Sequence, residues 1–210
     1  MTDTVLLPTS DLRAIPLALE ILKDGGLVAF PTDTVYGLAA GIFQPKGIDR
    51  LYAAKDRSAS KAIAVLIGEV EQLALLTPGL TPSAERLALR FWPGALTLVV
   101  PKHPGLPANL SPMPTVGVRM PNHAYARALI RAAGPLATSS ANLSGEATTR
   151  TAPEVLAQLQ GRVGLVLDGG PAAGGVPSTV VDCTRDTPQI LRQGAIDEQS
   201  IRDVLADGLL

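Results

Sequence analysis

LVAFPTDTVYGLAA, residues 27–40, decides how this chain is read. Four consecutive apolar residues, Leu27 to Phe30, fit a strand covered on both faces, because a strand with one wet face would alternate. One or two turn formers are enough to end such a strand. This one leaves through a proline, two threonines and an aspartate, with Tyr36-Gly37 behind them. Hydroxyls and a carboxylate are therefore held at the mouth of a core strand, a place where scaffolds commonly present their chemistry.

Working outward, Leu12, Ile15, Leu19 and Leu22 recur at helical spacing until Gly25-Gly26, with Pro16 in the first turn or at a kink. GIDRLYAAK (47–55) predicts a short helix packing through Ile48, Leu51 and Tyr52, and AIAVLI (62–67) predicts another buried strand. Thr81-Pro82 opens a helix through Phe91, threonine capping the free amides and proline standing where no amide is needed. ALTLVV (95–100) and TVGVRM (115–120) read as strands, and the proline-rich KHPGLPANLSPMP between them as a mobile loop. Asn122 is the expected cap of a helix ending near Gly134. Thr151-Ala-Pro-Glu154 forms a capping box for a helix to about Gln160. VGLVLD (163–168), STVVDC (178–183) and QILRQ (189–193) are the last strands, and Asp197 caps a terminal helix carrying Ile201, Val204 and Leu205. Several strands follow one another without a helix between them. The expectation is one α/β domain, residues 1–210, built on a mixed sheet.

Composition narrows the function. The chain has 210 residues, 46% apolar and 18% charged, with 18 basic and 19 acidic side chains and a net charge of -1, so a strongly basic polyanion-binding module is disfavoured. Aromatic residues make up only 3%, too few for the stacking platforms of a single-strand nucleic-acid binder. The single cysteine, Cys183, excludes an internal disulfide and reads as inert packing. No apolar run is long enough to span a bilayer, and the N-terminus lacks a basic region ahead of an apolar stretch. A cytoplasmic protein without membrane contact is expected.

Five polar clusters fall at strand ends or in loops: PTDTVYG (31–37), KDRSASK (55–61), VRMP (118–121), TSSANLSG (138–145) and PSTVVD (177–182), with LRQG (191–194) adding Arg192. KDRSASK places Lys55, Arg57 and Lys61 just beyond a helix, either as cations easing the helix dipole or as an anion cradle. TSSANLSG is either an ordinary hydroxyl turn or a set of neutral donors for phosphate or carboxylate oxygens. Arg119, inside a strand, needs a partner: Asp33, Asp182 or a substrate carboxylate. No Walker-type phosphate loop, no G-x-S-x-G and no metal-ligand spacing is present, which excludes a P-loop NTPase, discounts a Ser-His-Asp hydrolase and argues against a protein-held metal. His103 and His123 read as surface or capping residues.

Taken in order from residue 31 to 194, PTDTVYGL, K-x-R, TSSAN-x-SG, PSTVVD and LRQG resemble the YrdC/Sua5 family of L-threonylcarbamoyladenylate synthases. The resemblance implies a twisted, mixed, largely antiparallel open sheet with flanking helices around a deep, basic cleft, in the short single-domain form. It implies synthesis of threonylcarbamoyl-AMP and diphosphate from L-threonine, bicarbonate and ATP. Magnesium is carried with the nucleotide. Partner proteins then transfer the threonylcarbamoyl group to adenosine 37 of tRNAs that read codons beginning with A, and a contact with tRNA itself belongs to the expectation.

Residue by residue, the resemblance places the family's catalytic tetrad on Lys55, Arg57, Ser140 and Asn142. Arg57, Lys61, Thr115, Asn142, Arg150 and Arg192 fall on the nucleotide side, and Thr34, Arg119, Ser140 and Ser178 on the threonine side. Lys55, Arg57 and Arg192 are expected to supply charge to the phosphates, and Arg119 to pair with the threonine carboxylate. The chain departs from the family pattern at Ser58 and Ala62, where many members carry proline, at Leu66, where some carry histidine, and in EATTRT (146–151). The competing readings are a carbamoyl-adenylating activity fed by carbamoyl phosphate, disfavoured because the chain has no acylphosphatase-like or zinc-finger segment, and a non-enzymatic RNA-binding module.

Overall fold

The structure, a computed structural model, describes residues 3–185 and 187–206. Along the chain these form β1 (Val5–Pro8), α1 (Ala14–Lys23), β2 (Val28–Phe30), β3 (Gly37–Gly41), α2 (Pro45–Ala54), β4 (Ala64–Leu66) and α3 (Pro82–Phe91). Then come β5 (Leu96–Pro101), β6 (Thr115–Arg119), α4 (Ala124–Ala133), β7 (Leu136–Ser140), α5 (Ala152–Leu159), β8 (Leu165–Asp168), β9 (Thr179–Asp182), β10 (Gln189–Arg192) and α6 (Glu198–Ala206). All ten strands join one sheet in the order β1-β8-β2-β3-β7-β4-β6-β5-β9-β10. Five neighbour pairings are antiparallel and four parallel, so the sheet is mixed with antiparallel pairings in the majority.

The apolar runs are explained by cover on both faces. Val28, Phe30, Ala39, Leu66, Leu136, Leu165 and Leu167 pack with Ala14, Ala18 and Leu22 of α1 and with Ala126, Leu129 and Ile130 of α4. Their strand neighbours Ala29, Leu38, Val65, Ala137 and Val166 pack on the opposite side, with residues of α2, α3, α5 and α6. Side chains alternate between faces along a strand, and in β2, β8 and the buried part of β3 both faces meet a buried layer.

Several local signals act as expected. Thr81 Oγ1 accepts from the Ala84 amide at 3.2 Å. Thr151 Oγ1 accepts from the Glu154 amide, while Glu154 reaches the Arg150 amide at 2.6 Å. Asp197 accepts from the Ser200 amide at 2.8 Å. Pro16 lies in the first turn of α1, where its missing amide costs no intrahelical bond.

Four expectations are corrected. Leu12 is exposed, because α1 starts two residues later and turns Ala14, Ala18 and Leu22 inward. The cap of α4 is His123, whose Nδ1 accepts from the Ala126 amide at 3.2 Å, one residue beyond Asn122. The segment 102–114 is tied down: Leu106, Leu110 and Ser111 are buried, and Lys102 Nζ donates to the Ser111 carbonyl at 2.9 Å. Finally, β1 and β3 were not expected. β1 is an edge strand parallel to β8, and β3 runs antiparallel to both β2 and β7.

The chain leaving β10 passes through Gly194, where an added Cβ would overlap the Pro177 carbonyl and the Ser178 backbone. Backbone cannot retreat as a flexible side chain can. Gly194→Ala is expected to destabilise the protein by about 1–3 kcal/mol, read from denaturant unfolding; unchanged stability would contradict this packing.

Candidate functional site

On the α1/α4 face the helices do not reach the whole sheet. The uncovered area is floored by small residues at alternating strand positions. Gly37, Ala64 and Gly117 line it, and a Cβ on Gly37 would come within 3.0 Å of Thr138 Cγ2. The result is a cavity of about 350 Å³, in the size range of small-ligand sites.

The loop that opened the sequence reading forms one wall. Thr32 Oγ1 donates to the Val35 carbonyl at 2.7 Å and accepts from the Thr34 amide at 3.2 Å, so the β2–β3 loop carries its own hydrogen bonds. Tyr36, fully buried, donates its hydroxyl to the Gly170 carbonyl at 2.8 Å and accepts from the Gly169 amide at 3.2 Å. The Thr32 and Tyr36 hydroxyls are thus held by backbone, and the Thr34 hydroxyl lies 3.1 Å from Thr32 Oγ1.

Of the residues singled out in sequence, Thr34, Arg57, Arg119, Ser140, Ser178 and Arg192 converge on this one cavity. Arg119 is buried and anchored three ways: to the Gly94 carbonyl at 2.9 Å, to Thr34 Oγ1 at 2.8 Å and to Asp33 at 2.5 Å. That resolves its partner in favour of Asp33. Arg192 donates to the Ser178 carbonyl at 2.8 Å and to its hydroxyl at 3.3 Å, and Arg57 donates to the Ala62 carbonyl at 3.0 Å. Among the described residues, three arginines and no carboxylate line the cavity.

Electrostatics follow from burial and proximity. Burial pulls the Arg57 guanidinium below its ordinary value. Arg192 is pulled down by burial and then by Arg57. Arg119 is lowered by burial against the opposing pull of Asp33, with Arg192 adding to the lowering. Like charges that depress one another mark a site short of negative charge.

The other expected residues stand apart from the lining. Lys55 is fully buried, and its ammonium donates to the Ser140 and Asn142 carbonyls. Its charge is spent on the backbone of the turn after β7, and burial, helped by Arg57, brings its pKa from 10.5 to about 8. Asn142 donates to the Leu143 and Glu146 carbonyls, leaving Oδ1 buried without a partner among the described residues; Arg57 Nε is in the same condition. Thr115 opens β6 on the strand face shared with Gly117 and Arg119, beyond the lining. Lys61 and Arg150 are exposed, Arg150 donating to the Ala172 carbonyl at 3.4 Å.

The sequence reading missed Thr97 and Thr148, which also line the cavity, as do Thr138 and Ser139 of the TSSANLSG cluster. Thr97 Oγ1 lies 2.8 Å from Ser178 Oγ. The available signal was a single hydroxyl inside the apolar run ALTLVV, two positions from Val99 on the same face. Leu66 stands in the lining where some family members carry histidine, and there it adds an apolar contact. No group of three or more potential metal ligands occurs among the described residues, and none of their helices is long and apolar enough to cross a membrane.

Comparison with known proteins places the chain among relatives of known name. The threonylcarbamoyl-AMP synthase of Bacillus subtilis is 42% identical over 194 residues, covering 91% of this chain and 56% of that protein. Pyrococcus abyssi Sua5 complexed with L-threonine superposes with a TM-score of 0.90 at 38% identity, over 98% of this chain and 61% of that one. E. coli YciO superposes at 0.81 with 27% identity, over 94% and 97%. The chain therefore spans little more than half the length of the first two and nearly all of the third. A family model for Sua5, YciO and YrdC, described as telomere recombination, matches residues 20–194, a span that holds every cavity-lining residue. On this extent of match, the chain belongs to the Sua5/YciO/YrdC family.

Proposed function

We propose that the chain is an L-threonylcarbamoyladenylate synthase, converting L-threonine, bicarbonate and ATP into threonylcarbamoyl-AMP, diphosphate and water. The observation that carries this reading is the cavity wall: three guanidiniums without a carboxylate among them, facing the hydroxyls of Thr34, Ser140 and Ser178. A triphosphate fits Arg57 and Arg192, and a small hydroxylated amino acid fits Arg119 together with the hydroxyls. Two relatives support it: the B. subtilis synthase, and the P. abyssi protein solved with L-threonine.

The chemistry asks for positioning and charge more than for a covalent nucleophile. The threonine amine attacks the bicarbonate carbon and water leaves. A carbamate oxygen then attacks the α-phosphorus and diphosphate departs. Arg57 and Arg192 neutralise phosphate charge, Arg119 faces the amino-acid carboxylate, and Asn142, set behind the lining by its bonds to the Leu143 and Glu146 carbonyls, shapes the nucleotide side through the turn after β7. Lys61, Thr115 and Arg150 belong to the outer nucleotide side. Lys55 acts by fixing the Ser140–Asn142 turn. Magnesium would come in on the nucleotide: the lining has no carboxylate, so its ligands there would be phosphate oxygens and water. The product would pass to threonylcarbamoyl-transferring proteins that modify adenosine 37 of tRNA, with tRNA contact near the cavity mouth.

The test is diphosphate release with ATP, bicarbonate and single amino acids. Release that depends on threonine is expected, and release indifferent to threonine would reverse the reading. Arg57→Ala should lower kcat/KM by at least ~100-fold, the scale of losing a positioned cation at a developing charge, while far-UV circular dichroism stays native.

Lys55→Met, which keeps the stem but not the ammonium, tests the turn-fixing role. Because burial depresses the folded pKa to about 8 from 10.5, the unfolded chain binds more protons between those values. Wild-type stability should then rise with pH across that window relative to Lys55→Met, by at most ~3 kcal/mol. Parallel stability–pH curves for the two proteins would refute it.

A further inference from the structure

The three cavity arginines are not equally compensated. Of these three, only Arg119 has a carboxylate of the described residues at ion-pair distance, whereas Arg57 and Arg192 meet carbonyl and hydroxyl oxygens. The compensating group, Asp33, is built into its place. Its backbone carbonyl lies so close to Gly174 that a Cβ there would come within 2.7 Å. The next carbonyl, that of Thr34, accepts from the Gly175 amide at 2.7 Å, and the Thr34 amide is held by Thr32 Oγ1. Asp33 is not part of the cavity lining, while Arg119 is, so the carboxylate grips the guanidinium from outside the cavity. A guanidinium has five N–H donors. Three are engaged by Gly94, Thr34 and Asp33, which leaves NH1 and NH2 one free hydrogen each.

Resting on the synthase reading above, we infer that Asp33 is a positioning and specificity residue that sorts the two anionic substrates. By neutralising Arg119 it leaves one end of the cavity weakly charged and the Arg57–Arg192 end strongly positive. A polyphosphate is drawn to the uncompensated end, since unlike-charge attraction scales with the product of the charges. An amino acid, with one carboxylate, can use the two remaining hydrogens of an already oriented Arg119. Without the Asp33 charge, Arg119 becomes a third uncompensated cation and the amino-acid end becomes a second polyphosphate site. Like many specificity devices, this one works by excluding the wrong occupant.

Steady-state kinetics with inorganic tripolyphosphate as a dead-end inhibitor tests this. In wild type, tripolyphosphate should compete with ATP and not with threonine. In Asp33→Asn, the threonine KM should rise by about tenfold, by a larger factor than kcat falls, and tripolyphosphate should now compete with threonine. Asp33→Glu, which restores the charge, should recover the wild-type inhibition pattern. An Asn variant with unaltered threonine KM and inhibition pattern overturns the inference. So do equal kcat losses in the Asn and Glu variants with no change of pattern, the behaviour of a merely structural residue. If Asp33→Asn does not fold, wild type still decides: competition between tripolyphosphate and threonine there rules out sorting. Wild-type protein without threonine-dependent diphosphate release overturns the synthase reading and this inference together, whereas active wild type with an unaffected Asn variant overturns this one alone.

Discussion

A sheet that is apolar on both faces has to be covered on both, and the features of this protein follow from how that requirement is met and where it is relaxed. On one side α2, α3, α5 and α6 contribute to a continuous core. On the other, α1 and α4 shield β8, β2, β3 and the ends of β4 and β7 and then stop. The strands change composition there, to Gly37, Ala64, Gly117, Thr97, Thr138 and Ser140, with Leu66, Val99 and Val180 among them. The recess is a direct product of incomplete cover, and small residues on its floor give it its depth.

The charges obey a related constraint. A buried arginine is tolerated when its donors are met, and Arg119 has three such contacts. Lys55 solves the same problem by turning to two backbone carbonyls, which ties the end of α2 to the turn after β7. One cation therefore faces the recess and the other supports it from behind, although in sequence the first read as an arginine inside a strand in need of a partner and the second only as a cation just beyond a helix.

That difference marks the limit of what could be read from the residues alone. Periodicity and capping chemistry are local, so β2, β5, β6 and the starts of α3, α5 and α6 were legible. GLAAG was not: it has no β-branched or aromatic residue, and it is a strand only because β2 and β7 pair with it. The cap of α4 moved by one residue because an imidazole nitrogen can accept where an asparagine oxygen was expected. In the site, clustered hydroxyls and cations were legible because they break apolar runs. Thr97 was hidden as one hydroxyl among leucines and valines, and the direction of the Lys55 ammonium depends on a turn 85 residues away in the chain.

Arg192 lies at the end of β10, which has one neighbour, β9, and a register irregularity between Ile190 and Arg192. Outermost strands fray at lower free energy than interior ones. The recess therefore borrows one of its cations from an edge of the sheet. Warming should disable such a molecule in two stages, with loss of anion grip preceding loss of the core, so its working temperature is governed by a margin rather than by the melting of the whole.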